Sequence, residues 1–247
     1  MKTIKTFFLL FLFSLGITAH AQISSQDSVL YRTAILNAMY PEKSKVYNEL
    51  TVIDCGNKEL QCRTVNEVEY ILVVAWMKKE YVEYYKPFDN QWGFYNTGQY
   101  PMWVTVAPEL VKRMKKEQAE DKEIRLKQLL GLNPDEKQVY SSFIEIWVQP
   151  SDLIRPCPDQ ETSDTQCDVC FPSNVNPAHK EWINNNRIQS YYGCGLKNQF
   201  PWTALGYTYD WNPDNKTHVG LSEFIVPVNT NVVIEKIYSN IDYFKKM

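Results

Sequence analysis

The chain is poor in the residues that enzymatic chemistry draws on most. It has 3 histidines in 247 residues, and only His179 and His218 lie beyond position 21. A three-histidine zinc site is therefore impossible within residues 22–247, and no H-E-x-x-H occurs. There is no G-x-x-x-x-G-K-[ST] and no strand-linked G-x-G-x-x-G, which removes the familiar phosphate-cradling loops. Gly220-Leu221-Ser222-Glu223-Phe224 lacks the final glycine of a nucleophile elbow. Both later histidines sit in polar stretches and read as surface residues rather than bases. No internal repeat and no low-complexity tract is present.

Charge of one sign is also missing. Lys and Arg number 26 and Asp and Glu 29, for a net charge of -3. Without residues 1–21, which hold Lys2, Lys5 and no acid, the balance is 24 basic against 29 acidic residues, or -5. Such a surface offers no electrostatic footprint for nucleic acid or anionic lipid. Long apolar runs are absent beyond the start, so nothing downstream approaches the roughly 18 residues of a membrane span.

The start itself has a signature. Lys2 and Lys5 precede an apolar run from Phe7 to Ile17, and Ala19-His20-Ala21 follows as an A-x-A site. These are the three regions of a secretory signal peptide. Residues 1–21 are expected to be cleaved, leaving Gln22 at the new N-terminus and an exported protein, periplasmic or secreted, with no stable membrane insertion.

That compartment decides how the cysteines are read. Cys55, Cys62, Cys157, Cys167, Cys170 and Cys194 form an even set, which in an exported chain predicts disulfides. Cys55 and Cys62 bracket a Gly-Asn turn and make the simplest pair. The remaining four are expected to pair among themselves, giving three bridges and no free thiol. The stretch CPDQETSDTQCDVCFP, residues 157–172, also carries Asp159, Glu161, Asp164 and Asp168. Zinc at Cys157, Cys167, Cys170 and Cys194 is the alternative, but only Cys167 and Cys170 have knuckle spacing. The carboxylates lack the glycine and glutamate positions of an EF-hand. The segment therefore reads as a stapled, solvated acidic loop, with no metal and no cofactor expected.

The expected fold class is α+β: an N-terminal helix packed on a mostly antiparallel sheet, then a second strand- and loop-rich, disulfide-stapled half. A helix capped at Asp27 or Ser28 runs to about Met39 and ends before Pro41. KVYNELTVI and EVEYILVVAWM read as strands, the second apolar on both faces and hence central. MWVTVA, FIEIWV, LGYTYDW, LSEFIVP and NVVIEKI read as further strands. Pro108 opens a helix, Gly131 suits a helix C-cap, and Asn176-Pro177 opens another helix. A soft boundary near residue 120 divides residues 22–120 from an aromatic- and cysteine-rich region, 121–247, unless the two form one domain.

Aromatic residues are the one conspicuous excess, at 14% of the chain. Tyr191 to Trp211 is the densest stretch. In a strand over 205–211, Tyr207, Tyr209 and Trp211 share one face and Asp210 the other. That face is either core or a platform for a flat or sugar-like ligand. Trp202, after Pro201, is expected to be the exposed member. Glu145, Asp210 and Glu223 are the candidate catalytic carboxylates, and a buried Glu145 calls for a partner such as Arg155 or Arg187. Asn215-Lys216-Thr217 matches an N-glycan sequon. Two function classes remain: a non-enzymatic module binding a small molecule, glycan or envelope protein, and a hydrolase or transferase working with paired carboxylates. Converging carboxylates would favour the second, scattered ones the first.

Overall fold

The computed structural model describes residues 25–135 and 139–247. The expected signal peptide lies outside the described residues. Nine strands and six helices follow in order: α1 (Ser25–Ala38), β1 (Cys62–Val65), β2 (Val68–Lys78), α2 (Lys79–Val82), β3 (Phe94–Asn96), β4 (Met102–Val106), α3 (Ala107–Glu117), α4 (Lys122–Leu129), β5 (Tyr140–Val148), α5 (Pro177–Tyr192), β6 (Tyr207–Tyr209), β7 (Val219–Ser222), β8 (Phe224–Val226), β9 (Asn231–Ser239) and α6 (Asn240–Phe244). The class is α+β.

Seven strands form one antiparallel sheet in the order β3-β9-β5-β2-β4-β8, with β1 on β2. Strands from both sides of residue 120 share it, since β2 pairs with β5 and β4 with β8. β2 is central because its two alternating sets are both apolar. Ile71, Val73 and Ala75 face one layer with Ile144, Ile146, Val148, Val232 and Ile234. Leu72, Val74 and Trp76 face the other, where Leu110 and Met114 of α3, Leu126 and Leu129 of α4, and Tyr243 of α6 cover them. Pro108 lies in the first turn of α3, and Leu110 and Met114, one turn apart, form its buried stripe.

Three elements differ from expectation. α1 packs through Tyr31, Ala34, Ile35 and Ala38 on Tyr191, Tyr209 and Trp211, so it covers the small β6-β7 sheet rather than the main one. The stretch 45–53 forms no strand: its apolar residues are interrupted by Asn48 and Glu49, and its backbone bonds instead to the acidic loop (Leu50 N to Thr165 O, 2.8 Å; Ile53 N to Thr162 O, 2.8 Å). LGYTYDW yields only the short β6. Among the described residues no helix is long and apolar enough to cross a membrane.

Candidate functional site

The segment from Pro201 to Trp211 is buried at every residue although little of it is regular structure. A turn makes this passage through the interior feasible. Ala204 and Gly206 adopt left-handed φ values of 51° and 77°. Thr203 Oγ1 donates to the Tyr207 carbonyl at 2.8 Å and accepts from Leu205 N at 3.1 Å. A side chain at Gly206 would meet Arg155 Cδ and Cys167 Sγ at 2.8 Å, so glycine is required there by packing as well as by φ. Tyr207, Tyr209 and Trp211 are core. Trp211 donates from Nε1 to the Lys127 and Leu132 carbonyls, both at 3.1 Å, and meets Tyr31 edge-on at 5.9 Å. The cavity beside Tyr207, Tyr209 and His218 holds about 20 Å³, room for roughly one water and no ligand. Trp202 is buried too, against the expectation that it stands exposed, because Ile183, Ala204, Trp182 and Phe171 close around it.

The three candidate carboxylates share no partner. Asp210 is fully buried and grips Arg125 through both oxygens (2.9 and 2.6 Å), with Asn215 Nδ2 at 2.8 Å and Arg113 at 3.5 Å. Glu117 completes this network by accepting from both arginines. On the Arg125 guanidinium, burial works to lower the pKa, and its bonds to Asp210 and Glu117 outweigh that and raise it. Glu145 pairs with Lys246 at 2.7 Å, not with Arg155 or Arg187. Both groups are structural anchors, of the kind whose disruption leaves a buried charge unpaired. Asn215, the sequon residue, directs its amide into this network and to the Val219 carbonyl.

Glu223 differs. The residue is half-buried, with its Oε2 sealed beside the equally sealed Trp202 Nε1, the group it faces. Burial raises the Glu223 carboxyl from 4.5 to about 8, and the indole N–H of Trp202 is the group opposing that rise. Around it stand three indoles. Trp103 and Trp182 lie nearly parallel (26°, 6.2 Å), and Trp202 stands edge-on to both (5.8 and 6.2 Å). Trp103, 39% exposed, is the solvent-facing member. His179 stacks on Trp182 and is buried, with Nε2 2.8 Å from the Cys157 carbonyl, which corrects its reading as a surface residue.

A second aromatic cluster was not singled out from the sequence. The Arg63 guanidinium lies between two indole faces, 4.8 Å from Trp92 and 4.9 Å from Trp147. Glu235 stands 3.6 Å away and accepts from Trp147 Nε1 at 2.6 Å. Tyr70 meets Trp92 edge-on at 5.9 Å. The Arg63 side chain makes no hydrogen bond among the described residues beyond its ion pair with Glu235, and 44% of it is exposed. Trp92, held at φ 49°, is 37% exposed, and Phe94, on the outermost strand β3, is 59% exposed. The available signal was the pile of aromatics within a turn-rich stretch, YKPFDNQWGFYNTGQYP, because a loop has no interior in which to hide them.

The cysteine loop is tied by Cys157–Cys167, and Cys55–Cys62 forms as expected. Cys170 and Cys194 are free and exposed, so two bridges replace the expected three. Arg155, fully buried, bonds the Asp164 carboxylate (2.5 Å) and the carbonyls of Thr51, Asp164 and Gln166, which sets the loop's path. Oxygens of Asp159, Glu161 and Asp164 converge within 4.8 Å, with Asp164 already committed to Arg155. No protein-family model matches the chain, and no curated protein and no solved structure is significantly similar to it.

Proposed function

We propose that this is an exported, non-enzymatic glycan-binding module whose contact surface is the Arg63–Trp92–Phe94 cluster. The observation that carries the reading is the Arg63 guanidinium held between two indoles, loosely paired with Glu235 and 44% exposed, beside the exposed rings of Trp92 and Phe94. Exposed indole and phenyl faces stack on the C–H face of a pyranose, and the Arg63 and Glu235 edges supply a donor and an acceptor for its hydroxyls. Stacking between two rings restricts the guanidinium beforehand, which lowers the ordering cost of binding. The scattered carboxylates, Asp210 on Arg125, Glu145 on Lys246 and Glu223 beside Trp202, support binding rather than paired-carboxylate hydrolysis. The signal sequence and the two disulfides support export. A glycan array followed by calorimetry tests the reading. Trp92→Ala and Arg63→Gln should each weaken the best ligand by about tenfold or more. Hydrolysis of any arrayed glycan, or binding indifferent to both substitutions, overturns it.

A further inference from the structure

We propose that the ligand of the Arg63 surface is an acidic glycan, an oligosaccharide whose uronate carboxylate docks on the Arg63 guanidinium while a neighbouring ring stacks on Trp92 or Phe94. The inference rests on the glycan reading above and adds to it the charge of the sugar.

The guanidinium is a fixed cation short of a full partner. It carries five N–H donors, and its side chain forms no hydrogen bond among the described residues beyond the ion pair with Glu235. That pair is loose. Glu235 Oε2 stands 3.6 Å from Arg63 Nη1, and the same oxygen accepts from Trp147 Nε1 at 2.6 Å. The two side chains are 44% and 32% exposed, and an ion pair so exposed and so long contributes little. A planar carboxylate that meets the guanidinium with two parallel bonds makes a shorter and stronger contact. The other acids of the hairpin do not oppose it. In the β1–β2 ladder Arg63 pairs with Tyr70 and Thr64 with Glu69, so alternation sends Glu69 to the opposite face. Glu67 lies at the hairpin tip, beyond the Val65–Val68 pair.

The fold positions the guanidinium before a ligand arrives. β1 is paired with β2, Cys62 next to Arg63 is bonded to Cys55, and the two indoles lie 4.8 and 4.9 Å from the guanidinium. The stacking surface continues on the same face of the sheet. Trp147 pairs with Val233 and Val233 with Phe94, so the three form one row across β5, β9 and β3. Two strand spacings, roughly 10 Å, separate Trp147 from Phe94, and contact with both ends of the surface takes more than one sugar ring.

Calorimetric titration at pH 7 and low salt tests the proposal with the trisaccharides of galacturonate and of glucuronate, each beside its methyl ester. Esterification keeps the rings and removes the charge. At least one acid should bind about tenfold or more tighter than its ester, and high salt should shrink that preference. In Arg63→Gln, shown to be folded by circular dichroism, the acid should fall to within about twofold of the ester. Should that variant fail to fold, the ratio of acid to ester on the parent protein decides alone. Esters that bind as tightly as the acids, an acid preference kept by folded Arg63→Gln, or no binding of either acid while a neutral glycan binds would each overturn the uronate assignment and leave the glycan reading standing. A protein that binds no glycan at all would remove both.

Discussion

Two aromatic stretches of this chain place their rings differently. Residues 201–211 contain Trp202, Tyr207, Tyr209 and Trp211, all buried. Residues 81–100 hold eight rings, of which Tyr81, Tyr84, Trp92, Phe94 and Tyr100 are exposed, with Tyr100 at 81%, while Tyr85 is buried and Phe88 and Tyr95 pack partly against the main core. Aromatic density alone thus says nothing about which side of the surface a ring will occupy. What separates the two is their surroundings. The first is enclosed by α1, α4 and α5, each supplying a carbonyl or an apolar face to a ring. The second runs along the outermost strand of the sheet and the turns before it, where no further strand among the described residues lies beyond β3.

The comparison is most sharply tested at Trp211. Trp211→Ala should destabilise the fold by about 3–5 kcal/mol, through lost burial and the cavity left behind, as read from urea unfolding. A loss within the range of an ordinary surface substitution would place residues 201–211 outside the core after all. Beside it, Asp210→Asn should cost about 3 kcal/mol, because Arg125 and Arg113 would keep their charge without their buried partner. Thermal unfolding near pH 7 measures this, and an unchanged midpoint would remove the network from the structural account.

Glu223 supplies a pH-dependent test. Its folded-state pKa is raised from 4.5 to about 8, so between those values the folded protein holds a proton that the unfolded chain has released. Stability from this group is present below pH 4.5, declines as pH rises and is fully lost above about 8. The decline by pH 7 should be about 3 kcal/mol, and Glu223→Gln should flatten it. Denaturant midpoints of parent and variant across this range are the measurement, and parallel curves would show that Glu223 ionises normally.

The exposed stretch should show the smallest effects. Trp92→Ala should cost about 1 kcal/mol, the worth of one cation–π face on Arg63. Tyr100→Ala should stay within about 0.5 kcal/mol. Large losses at either position in the same unfolding assay would mean that these two rings are packed against something, and the contrast with 201–211 would fail.

Much of the fold was legible in residue order. β2 was readable as a central strand because both of its alternating sets are apolar, and α5 because Asn176 and Pro177 mark its start; the Asn176 side chain caps Ala178 N at 2.9 Å. The Cys55–Cys62 pair follows from a turn too short to lead the two cysteines elsewhere. The candidate site was legible only in part. Trp202 and Glu223 were singled out separately, but Trp103 and Trp182, distant in sequence, join them only through folding. Arg63 lies beside Cys62 with no local mark of interest, since its sandwich is made by Trp92 and Trp147 from other strands and loops.

By itself the sequence determined the signal-like start, the α+β class, the even cysteine set, the central strand and the lack of any motif for phosphate or metal-hydrolase chemistry. These depend on local order, alternation and composition, which act over a few residues. Only the tertiary structure decided which rings are core and which are surface, which acids meet a cation and which does not, and that Cys157 closes on Cys167 while Cys170 and Cys194 stay apart. Burial and charge pairing are set by what arrives from far along the chain: the partner of Asp210 is 85 residues away and that of Glu145 is 101 residues away.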